Sequence, residues 1–302
     1  MPRIAVPRHL EQPFSVAQGR AAGLGPERMR GPDLVRPHHG VRAAADGDWV
    51  GTVRDRARRL MPAMVDGWYF SHVTALALWG LPVPGRVDRG REPLHVSSAT
   101  GRSVRRPGVV GHRAAPVPPR LVDGLPVAEP ISAWVRSGQL MGLDDLVRTG
   151  DALAGSWSPL PEARRRRLDD LDRAILEVGR VRGITSVREA RALIRPGVES
   201  PKETELRLLL IRAGLPEPEI NTRTHDDRGR YLGKPDLRYA WCKLAIEYEG
   251  DEHRRDPWRF RQDILRRERF ADAGWRTVRC TDDDLRGRRA DELVDRVRRL
   301  LS

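Results

Sequence analysis

Residues 243–249, Lys-Leu-Ala-Ile-Glu-Tyr-Glu, alternate between apolar and polar side chains, and this pattern is typical of a half-buried β-strand. One face of that strand would hold Leu244, Ile246 and Tyr248, and the opposite face Glu247 and Glu249. Carboxylates beside a buried strand are costly unless an ion pair or a bound cation compensates them. The segment therefore predicts both a strand that packs on a core and a site for a positive charge.

A second carboxylate-bearing strand is expected next to this one. Asp236 lies near the end of a predicted strand over residues 231–238, and a short turn over 239–242 joins the two strands. Antiparallel pairing of these neighbours would bring Asp236 close to Glu247. A hard divalent cation with oxygen ligands would relieve the repulsion, and Mg²⁺ or Mn²⁺ fits best.

The remaining pattern from residue 200 onwards predicts the order α-β-β-β-α-β-α, which is a mixed sheet with helices against it. A hairpin turn is expected at residues 225–229, and residues 282–284 read as a cap or turn before the last helix. The predicted elements are a helix at 200–213, strands at 219–224, 231–238 and 243–249, a helix at 257–273, a strand at 275–280 and a helix at 289–301.

The net charge favours a polyanionic partner. The chain has 302 residues and a formal charge of +13, from 55 basic and 42 acidic residues. Strong positive charge attracts the DNA backbone through counterion release, whatever the base sequence. All but three of the basic residues are arginine, which a GC-rich genome would also produce.

Several classes of protein are disfavoured by what the sequence lacks. No apolar run approaches the ~18 residues of a membrane span, and the first residues do not form the apolar region of a signal peptide. Cys242 and Cys280 are too few for a disulfide framework. Motifs for acyl transfer, ATP hydrolysis and zinc proteolysis are missing. We therefore expect a cytoplasmic protein that does not bind a membrane.

Residues 14–42 predict a helix, a turn, a second helix and a small hairpin, as in a winged helix. Ser15 is placed to cap the first helix, and Pro26 to begin the second. The second helix of a helix-turn-helix enters the major groove of DNA. The predicted DNA contacts are Arg28, Arg30 and Arg42. The alternative is a small helical cap that does not touch DNA.

Changes in pattern divide the chain into four predicted segments. They are a winged-helix-like segment at 1–47, an accessory α+β domain at 48–157, a helical linker at 158–198 and a nuclease-like domain at 199–302. Within the accessory domain, helices are expected at 48–64, 72–79 and 130–155, with strand pieces between them. We interpret His72 as a hydrogen-bonded histidine at a helix start rather than a ligand. The run 164–167, four arginines, is expected on a solvated helix face that continues to residue 178.

Four motifs in the last hundred residues resemble one family. They are Gly-Lys-Pro-Asp at 233–236, Glu-Tyr-Glu-Gly-Asp-Glu-His at 247–253, Asp-Ile-Leu-Arg at 263–266 and Gly-Trp-Arg-Thr-Val-Arg at 274–279. Together they resemble the PD-(D/E)XK nuclease superfamily, and most closely the small domains related to very-short-patch repair endonucleases. The resemblance covers residues 199–301 and implies a restriction-endonuclease-like αβββαβα core within an α+β protein.

The resemblance also implies which residues bind the metal, namely Glu203, Asp236 and Glu247. Glu205 replaces Glu203 if the helix register is shifted. Ser200 and Glu203 also have the spacing of a capping box, which needs no metal.

The rest of the catalytic set departs from the superfamily pattern at one position. Glu249 lies where many members have a lysine, although the resembling branch often has a carboxylate there. This leaves open which group activates water, and the candidates are His253 and Lys243. Asp263 and Arg266 match a further motif on the following helix and are expected to support the site.

The sequence therefore predicts a Mg²⁺- or Mn²⁺-dependent DNA endonuclease, targeted by its N-terminal region, in DNA repair or defence. Residues 71–82 and the segment to 153 also resemble antitoxins of abortive-infection systems, which carry a winged helix. The alternative is consequently a non-catalytic repressor with a degenerate nuclease domain. RNA cleavage ranks third, because only 16 residues are aromatic. Beyond DNA, these hypotheses allow a homodimer, a cognate toxin or a repair protein as partner.

Overall fold

The computed structural model describes residues 5–7, 10, 13–45, 51–100, 104–113, 118–250 and 257–302, with only the backbone described over 257–263. The chain forms two compact units. The first unit comprises Met1–Asp145 and Asp170–Arg188, and the second Leu146–Asp169 and Glu189–Ser302. The C-terminal part therefore includes residues 146–169 and 189–198. The boundaries predicted from the sequence lie elsewhere, after residues 157 and 198.

The first unit begins with a small antiparallel sheet around a capped helix. Ser15 caps the first helix through a capping box with Gln18, as its position in the sequence predicts. The predicted second helix is only a single 3₁₀ turn, Arg28–Arg30, because too few residues separate Pro26 from Gly31 to propagate a helix. The elements are β1 Phe14–Ser15, α1 Val16–Ala21, β2 Leu34–Val35 and β3 Val41–Ala44, in the sheet order β1-β3-β2.

A five-stranded mixed sheet forms the rest of the first unit, in the order β6-β5-β4-β8-β7. Its strands are β4 Trp68–Phe70, β5 Leu94–Ser98, β6 Val109–Arg113, β7 Arg120–Val122 and β8 Leu125–Val127. Three of these strands lie where the sequence predicts strand pieces, and β4 and β7 are additional. Strand β5 pairs antiparallel with β4 and parallel with β6.

The helices between residues 53 and 193 each end close to a glycine or a proline. The predicted helix over 130–155 is two helices, and the arginine run 164–167 precedes a helix instead of lying within it. The helices are α2 Val53–Leu60, α3 His72–Leu78, α4 Gly85–Asp88, α5 Pro130–Arg136, α6 Leu143–Ala154, α7 Leu168–Val178 and α8 Ile184–Leu193. The helix predicted over 48–64 is α2, and Val53, Ala57 and Leu60 form its buried stripe.

The second unit contains a four-stranded sheet in the order β14-β13-β12-β9 and a separate hairpin, β10-β11. Each of the first two predicted strands is split in two, so that the hairpin projects between β9 and β12. The elements are α9 Pro201–Arg212, β9 Glu219–Ile220, β10 Thr224–His225, β11 Tyr231–Gly233, β12 Leu237–Tyr239, β13 Leu244–Tyr248, α10 Pro257–Asp272, β14 Arg276–Cys280 and α11 Gly287–Leu301. Residues 282–285 form a 3₁₀ turn with a capping box, as predicted.

Both faces of strand β13 are covered. Leu244 and Ile246 belong to a core that includes residues of α9 and α11. Ala245, on the opposite face, packs with Phe270 of α10 and with Trp275. The face predicted to be polar is therefore apolar along most of the strand, and its carboxylates lie where the strand ends.

A buried ion pair holds α9 against the segments that precede it. Asp151 and Arg207 both have fully buried side chains, and Arg207 Nη2 donates to Asp151 Oδ2 over 2.8 Å. The same carboxylate accepts hydrogen bonds from the Thr204 hydroxyl at 2.8 Å and the Arg195 amide at 2.7 Å. One carboxylate thus links the chain at α6, α8 and α9.

Removing this charge is expected to destabilise the second unit strongly. Asp151→Asn would leave the buried Arg207 guanidinium with only the more distant and partly exposed Glu217 carboxylate, at 3.4 Å, as counter-ion. Breaking a buried ion pair costs about 3–5 kcal/mol. Urea unfolding measures the loss. The matched control is Asp169→Asn, because the Asp169 side chain is 71% exposed and its ion pair with Arg167 lies in solvent; we expect less than about 1 kcal/mol there. Equal losses in the two variants would contradict this role.

Candidate functional site

Three carboxylates converge at one end of the four-stranded sheet. Glu203 lies in the first turn of α9, Asp236 directly precedes β12, and Glu247 is the fourth residue of β13. Because Leu237 pairs with Ile246, the next residues outward are Asp236 and Glu247. The structure therefore brings together the three residues for which the resemblance implies metal binding, and we call them the carboxylate cluster.

Glu203 is held by the backbone and by an asparagine. Its carboxylate Oε2 accepts hydrogen bonds from the Glu199 amide at 2.8 Å and from Asn221 Nδ2 at 2.5 Å. Its own amide donates to the Ser200 hydroxyl at 3.2 Å, so Ser200 does cap the helix. The carboxylate reaches the Glu199 amide instead of the Ser200 amide, so a simple capping box does not describe this side chain.

Asn221 is a residue of the site that was not predicted from the sequence. Its backbone amide donates to the Asp236 carbonyl at 2.9 Å, while its side chain contacts Glu203. Asn221 has a left-handed backbone with φ of 45°, a conformation that asparagine tolerates better than most residues. The available signal was an asparagine inside the predicted strand over 219–224, where this residue type disfavours strand structure. It joins two members of the carboxylate cluster and is a positioning residue.

Glu247 is compensated by an arginine on α10. Arg266 Nη2 donates to Glu247 Oε2 at 2.8 Å, so the structure places this predicted supporting residue in contact with the cluster. Gly233 makes this approach sterically feasible, since a Cβ there would lie 2.9 Å from a Phe270 ring atom and 3.1 Å from the Arg266 chain. Asp263 lies on the same helix, but its side chain is outside the described part of the structure.

The electrostatics of the cluster single out Asp236. Burial, together with the negative charges of Glu203 and Glu247, raises the pKa of Asp236 to about 7. The Tyr248 amide, which donates to Asp236 Oδ2 at 2.7 Å, and the Arg266 guanidinium act in the opposite direction. The charge at this end of the sheet is therefore only partly compensated by protein groups.

Glu203 is affected in the same way. Burial raises the pKa of Glu203, although its hydrogen bonds to the Glu199 amide, Asn221 and Ser200 oppose this effect. The side chains of Glu203 and Glu247 are 6% and 8% exposed. Buried carboxylates with incomplete compensation are typical of functional sites.

The other candidates in this unit lie apart from the cluster. Glu205 forms ion pairs with Lys202 and Arg148, so the helix register selects Glu203. Lys243 lies before β13, at the end opposite Glu247, and its ammonium group contacts Asp227 at 3.1 Å. Glu247 lies four residues after Lys243 in the chain, which is about 13 Å along a strand at ~3.3 Å per residue. The structure thus does not place Lys243 where it could activate water.

The remaining catalytic candidates are Glu249 and His253. Glu249 follows β13 and forms ion pairs with Arg267, at 3.4 Å, and with Arg279, so its charge is already compensated. His253 lies outside the described residues.

The predicted DNA contacts of the first unit differ in their exposure and in their partners. Arg28 is committed to a two-pronged ion pair with Asp33, at 2.7 and 3.1 Å, and its side chain is only 8% exposed. Arg42 is partly buried and donates to the Met29 and Val41 carbonyls. Arg30 is exposed. Its exposure leaves Arg30 as the predicted contact most available to a ligand.

A basic pocket of about 530 Å³ lies beside these residues. Its lining includes Arg36, Arg42 and Arg106. Arg36 is exposed, and its charge together with that of Arg30 lowers the pKa of Arg42, after the larger effect of burial. Several arginines thus concentrate positive charge on one side of the first unit.

Comparisons with known proteins extend over both units. Two uncharacterized proteins of Mycobacterium tuberculosis, from strains CDC 1551 and H37Rv, are each 27% identical to this chain over 279 residues. The match covers 91% of this chain and 94% of each relative. No protein-family model and no solved structure matches the chain. Among the described helices, none is long and apolar enough to cross a membrane.

The raised pKa of Asp236 predicts how stability depends on pH. The folded protein binds this proton more tightly than the unfolded chain, whose pKa is near 3.8. Folding stability in EDTA should therefore fall as pH rises from about 4 to 7, by up to ~1.4 kcal/mol per pH unit. Asp236→Asn should remove this contribution and be the more stable protein at pH 8.

Urea unfolding between pH 4 and 8 checks this expectation. The matched control is Asp227→Asn, because Asp227 is an exposed carboxylate of the same unit whose ion pair lies at the other end of β13. Its profile should parallel that of the wild type. Parallel profiles for wild type and Asp236→Asn would show that Asp236 titrates normally.

Proposed function

We propose that this protein is a metal-dependent DNA endonuclease whose carboxylate cluster hydrolyses phosphodiester bonds. The observation that carries the proposal is the convergence of Glu203, Asp236 and Glu247 at one end of the sheet, with Asp236 incompletely compensated. The family resemblance of residues 199–301 supports it, and so does the net charge of +13.

The donor set fits Mg²⁺ or Mn²⁺. Both are hard cations that prefer carboxylate oxygens, and Mg²⁺ is usually held by one or two carboxylates while it keeps several waters. Asp236 and Glu247, which are adjacent across two strands, would bind the ion directly. Glu203, whose Oε2 is engaged by Asn221, would act through a water. With Glu203 acting through a water, the three carboxylates do not all have to contact the ion directly.

The chain's own groups have distinct roles in the proposed reaction. A bound divalent cation would polarise a phosphate oxygen and lower the pKa of a water. Asp236 must lose its proton to bind the cation, and Asn221 keeps Glu203 and Asp236 in register. Arg266 orients Glu247 and places a positive charge near the phosphate, where negative charge increases during hydrolysis.

A specific observation favours a second candidate, a non-catalytic DNA-binding regulator. Glu249 replaces the lysine of many superfamily members and is paired with Arg267 and Arg279, while Lys243 lies at the far end of the strand. Neither position 249 nor Lys243 therefore supplies a lysine that could activate water. The resemblance of the first unit to abortive-infection antitoxins points the same way.

Plasmid cleavage tests the proposal. Supercoiled plasmid incubated with the protein and Mg²⁺ or Mn²⁺ should be nicked, and EDTA should stop the reaction. Asp236→Ala and Glu247→Ala should each lower the rate by at least about 10²-fold, since each removes a group that holds the charge-stabilising ion. Asp227→Ala, a carboxylate variant at the other end of β13, should cleave at the wild-type rate.

Two results would contradict the nuclease. The first is cleavage that survives both substitutions, which would indicate a contaminating enzyme. The second is binding to DNA without cleavage under all metal conditions, which would favour the regulator.

The basic side of the first unit is expected to bind phosphates. A double variant, Arg30→Ala with Arg36→Ala, should weaken DNA binding and lower the slope of log K against log salt by about 1 per lost contact. Fluorescence anisotropy at several salt concentrations measures both quantities. Arg288→Ala is the control, because that arginine is 91% exposed in the second unit and pairs with its helix neighbour Glu292. If Arg288→Ala weakened DNA binding equally, the effect of the double variant would reflect the net charge of the protein and not a binding surface on the first unit.

A further inference from the structure

Three histidines distant in sequence meet in the first unit. His72 begins α3, His95 is the second residue of β5, and His112 is the fourth residue of β6. One ring nitrogen from each lies within 4.8 Å of the others, which is the spacing of ligands around a single metal ion. No other set of three histidine, cysteine or acidic residues in the described part of the chain meets this spacing. We call this set the histidine cluster.

The strand register explains how two of the rings meet. In the parallel pair β5-β6, His95 lies opposite Val110, and Ser97 lies opposite His112. His95 and His112 therefore share one face of the sheet, two residues apart. Their rings are stacked with centroids 5.0 Å apart, and His95 Nδ1 lies 2.8 Å from His112 Nε2. Tetrahedral ligands at ~2.05 Å from zinc would be about 3.3 Å apart, so small movements suffice.

His72 is brought to the other two at a conformational cost. Its φ is 52°, in the left-handed region, which costs a non-glycine residue about 1–3 kcal/mol. The ring stacks on His112 with a centroid distance of 3.7 Å. Strain of this kind persists where the surrounding structure enforces it, and it is concentrated at functional sites.

The Ser71 hydroxyl contacts His72 instead of capping α3. Ser71 is the N-cap residue of α3, but its hydroxyl makes no capping hydrogen bond. The hydroxyl lies 2.9 Å from His72 Nδ1 instead. A hydrogen bond at one ring nitrogen fixes the orientation of the ring and leaves the other nitrogen for a metal, as is usual for metal-binding histidines.

The backbone around the cluster is also fixed. The Thr74 hydroxyl accepts a hydrogen bond from the His95 amide at 2.8 Å, and the Ser71 amide donates to the His95 carbonyl at 3.0 Å. His72 and His95 are 6% and 3% exposed. The cluster is therefore rigid and mostly shielded from water, although His112 is more accessible.

The imidazoles are neutral at physiological pH. Burial, together with the neighbouring rings and Arg136, lowers the pKa of His72 to about 2. Burial and His112 lower the pKa of His95 to about 4, and burial and Arg136 lower the pKa of His112. Neutral imidazole is the form that binds metal.

We propose that His72, His95 and His112 bind one divalent transition-metal ion, with Zn²⁺ as the best fit. Nitrogen ligands suit Zn²⁺, Co²⁺, Ni²⁺ and Cu²⁺, whereas Mg²⁺ prefers oxygen, so this site is chemically distinct from the carboxylate cluster. Three histidines leave the fourth position of a tetrahedral ion open. Arg136, whose positive charge acts on His72 and His112, would favour an anionic oxygen there.

Metal loading of the full chain tests the proposal. Protein stripped with chelator, loaded with Zn²⁺ and desalted should retain one equivalent of zinc by elemental analysis. Loading with Co²⁺ should produce the visible absorption of a tetrahedral site. His112→Ala, which changes the most accessible of the three histidines, should lose the zinc and the cobalt absorption. Zinc should raise the Tm of the wild type but not that of His112→Ala.

Three controls separate this site from other metal sites. Asp236→Ala and Cys242→Ser should each keep the zinc equivalent, and so should His225→Ala, an exposed histidine of the second unit. His112→Gln should also lose zinc, and far-ultraviolet circular dichroism must show that both His112 variants are folded. If they unfold, absorption of Co²⁺-loaded wild type still decides, because its bands differ between nitrogen and all-oxygen ligands.

Two outcomes would overturn the proposal. One is a wild type that retains no zinc and shows no tetrahedral cobalt absorption after loading. The other is zinc that remains in the folded His112 variants or is lost in Asp236→Ala or Cys242→Ser. Neither outcome bears on DNA cleavage, so this site and the proposed nuclease stand or fall separately.

Discussion

The buried ion pair between Asp151 and Arg207 determines where α9 lies, and the proposed active site depends on that helix. Both side chains are fully buried, so neither charge can be left alone. Thr204 donates to the same carboxylate and directly follows Glu203. This electrostatic constraint therefore fixes α9, which carries the first carboxylate of the cluster, against α6. Leu206 and Leu210 of the same helix pack on the sheet that carries the other two carboxylates.

Protein groups compensate only part of the negative charge of the carboxylate cluster. Arg266 pairs with Glu247, Asn221 binds Glu203, and the Tyr248 amide binds Asp236. Asp236 nevertheless has a pKa of about 7, because burial and two neighbouring carboxylates outweigh these contacts. Glu249, only two residues beyond Glu247, is by contrast neutralised by two arginines. The contrast separates a site suited to a cation from an ordinary ion-pair network.

The histidine cluster follows the same physical logic with different chemistry. At the carboxylate cluster, charge is buried with too few counter-charges. At the histidine cluster, a backbone is strained and a capping hydroxyl is diverted, so that three neutral nitrogens meet. The first arrangement suits a hard cation and the second a borderline one. The two units thus carry separate candidate sites, each explained by the groups that surround it.

Local patterns in the sequence determined much of the secondary structure, including the cap at Ser15, the helix from Ser200 and the strand that carries Glu247, because capping and strand alternation act over a few residues. They also indicated Asp236 beside Glu247, since one short turn joins their strands. Only the tertiary structure decided the rest. It committed Arg28 to Asp33, and it paired Lys243 with Asp227 and Glu249 with Arg279. Asn221 and the histidine cluster depend on contacts between residues far apart in the chain, and no local pattern records which distant side chains will share a buried space.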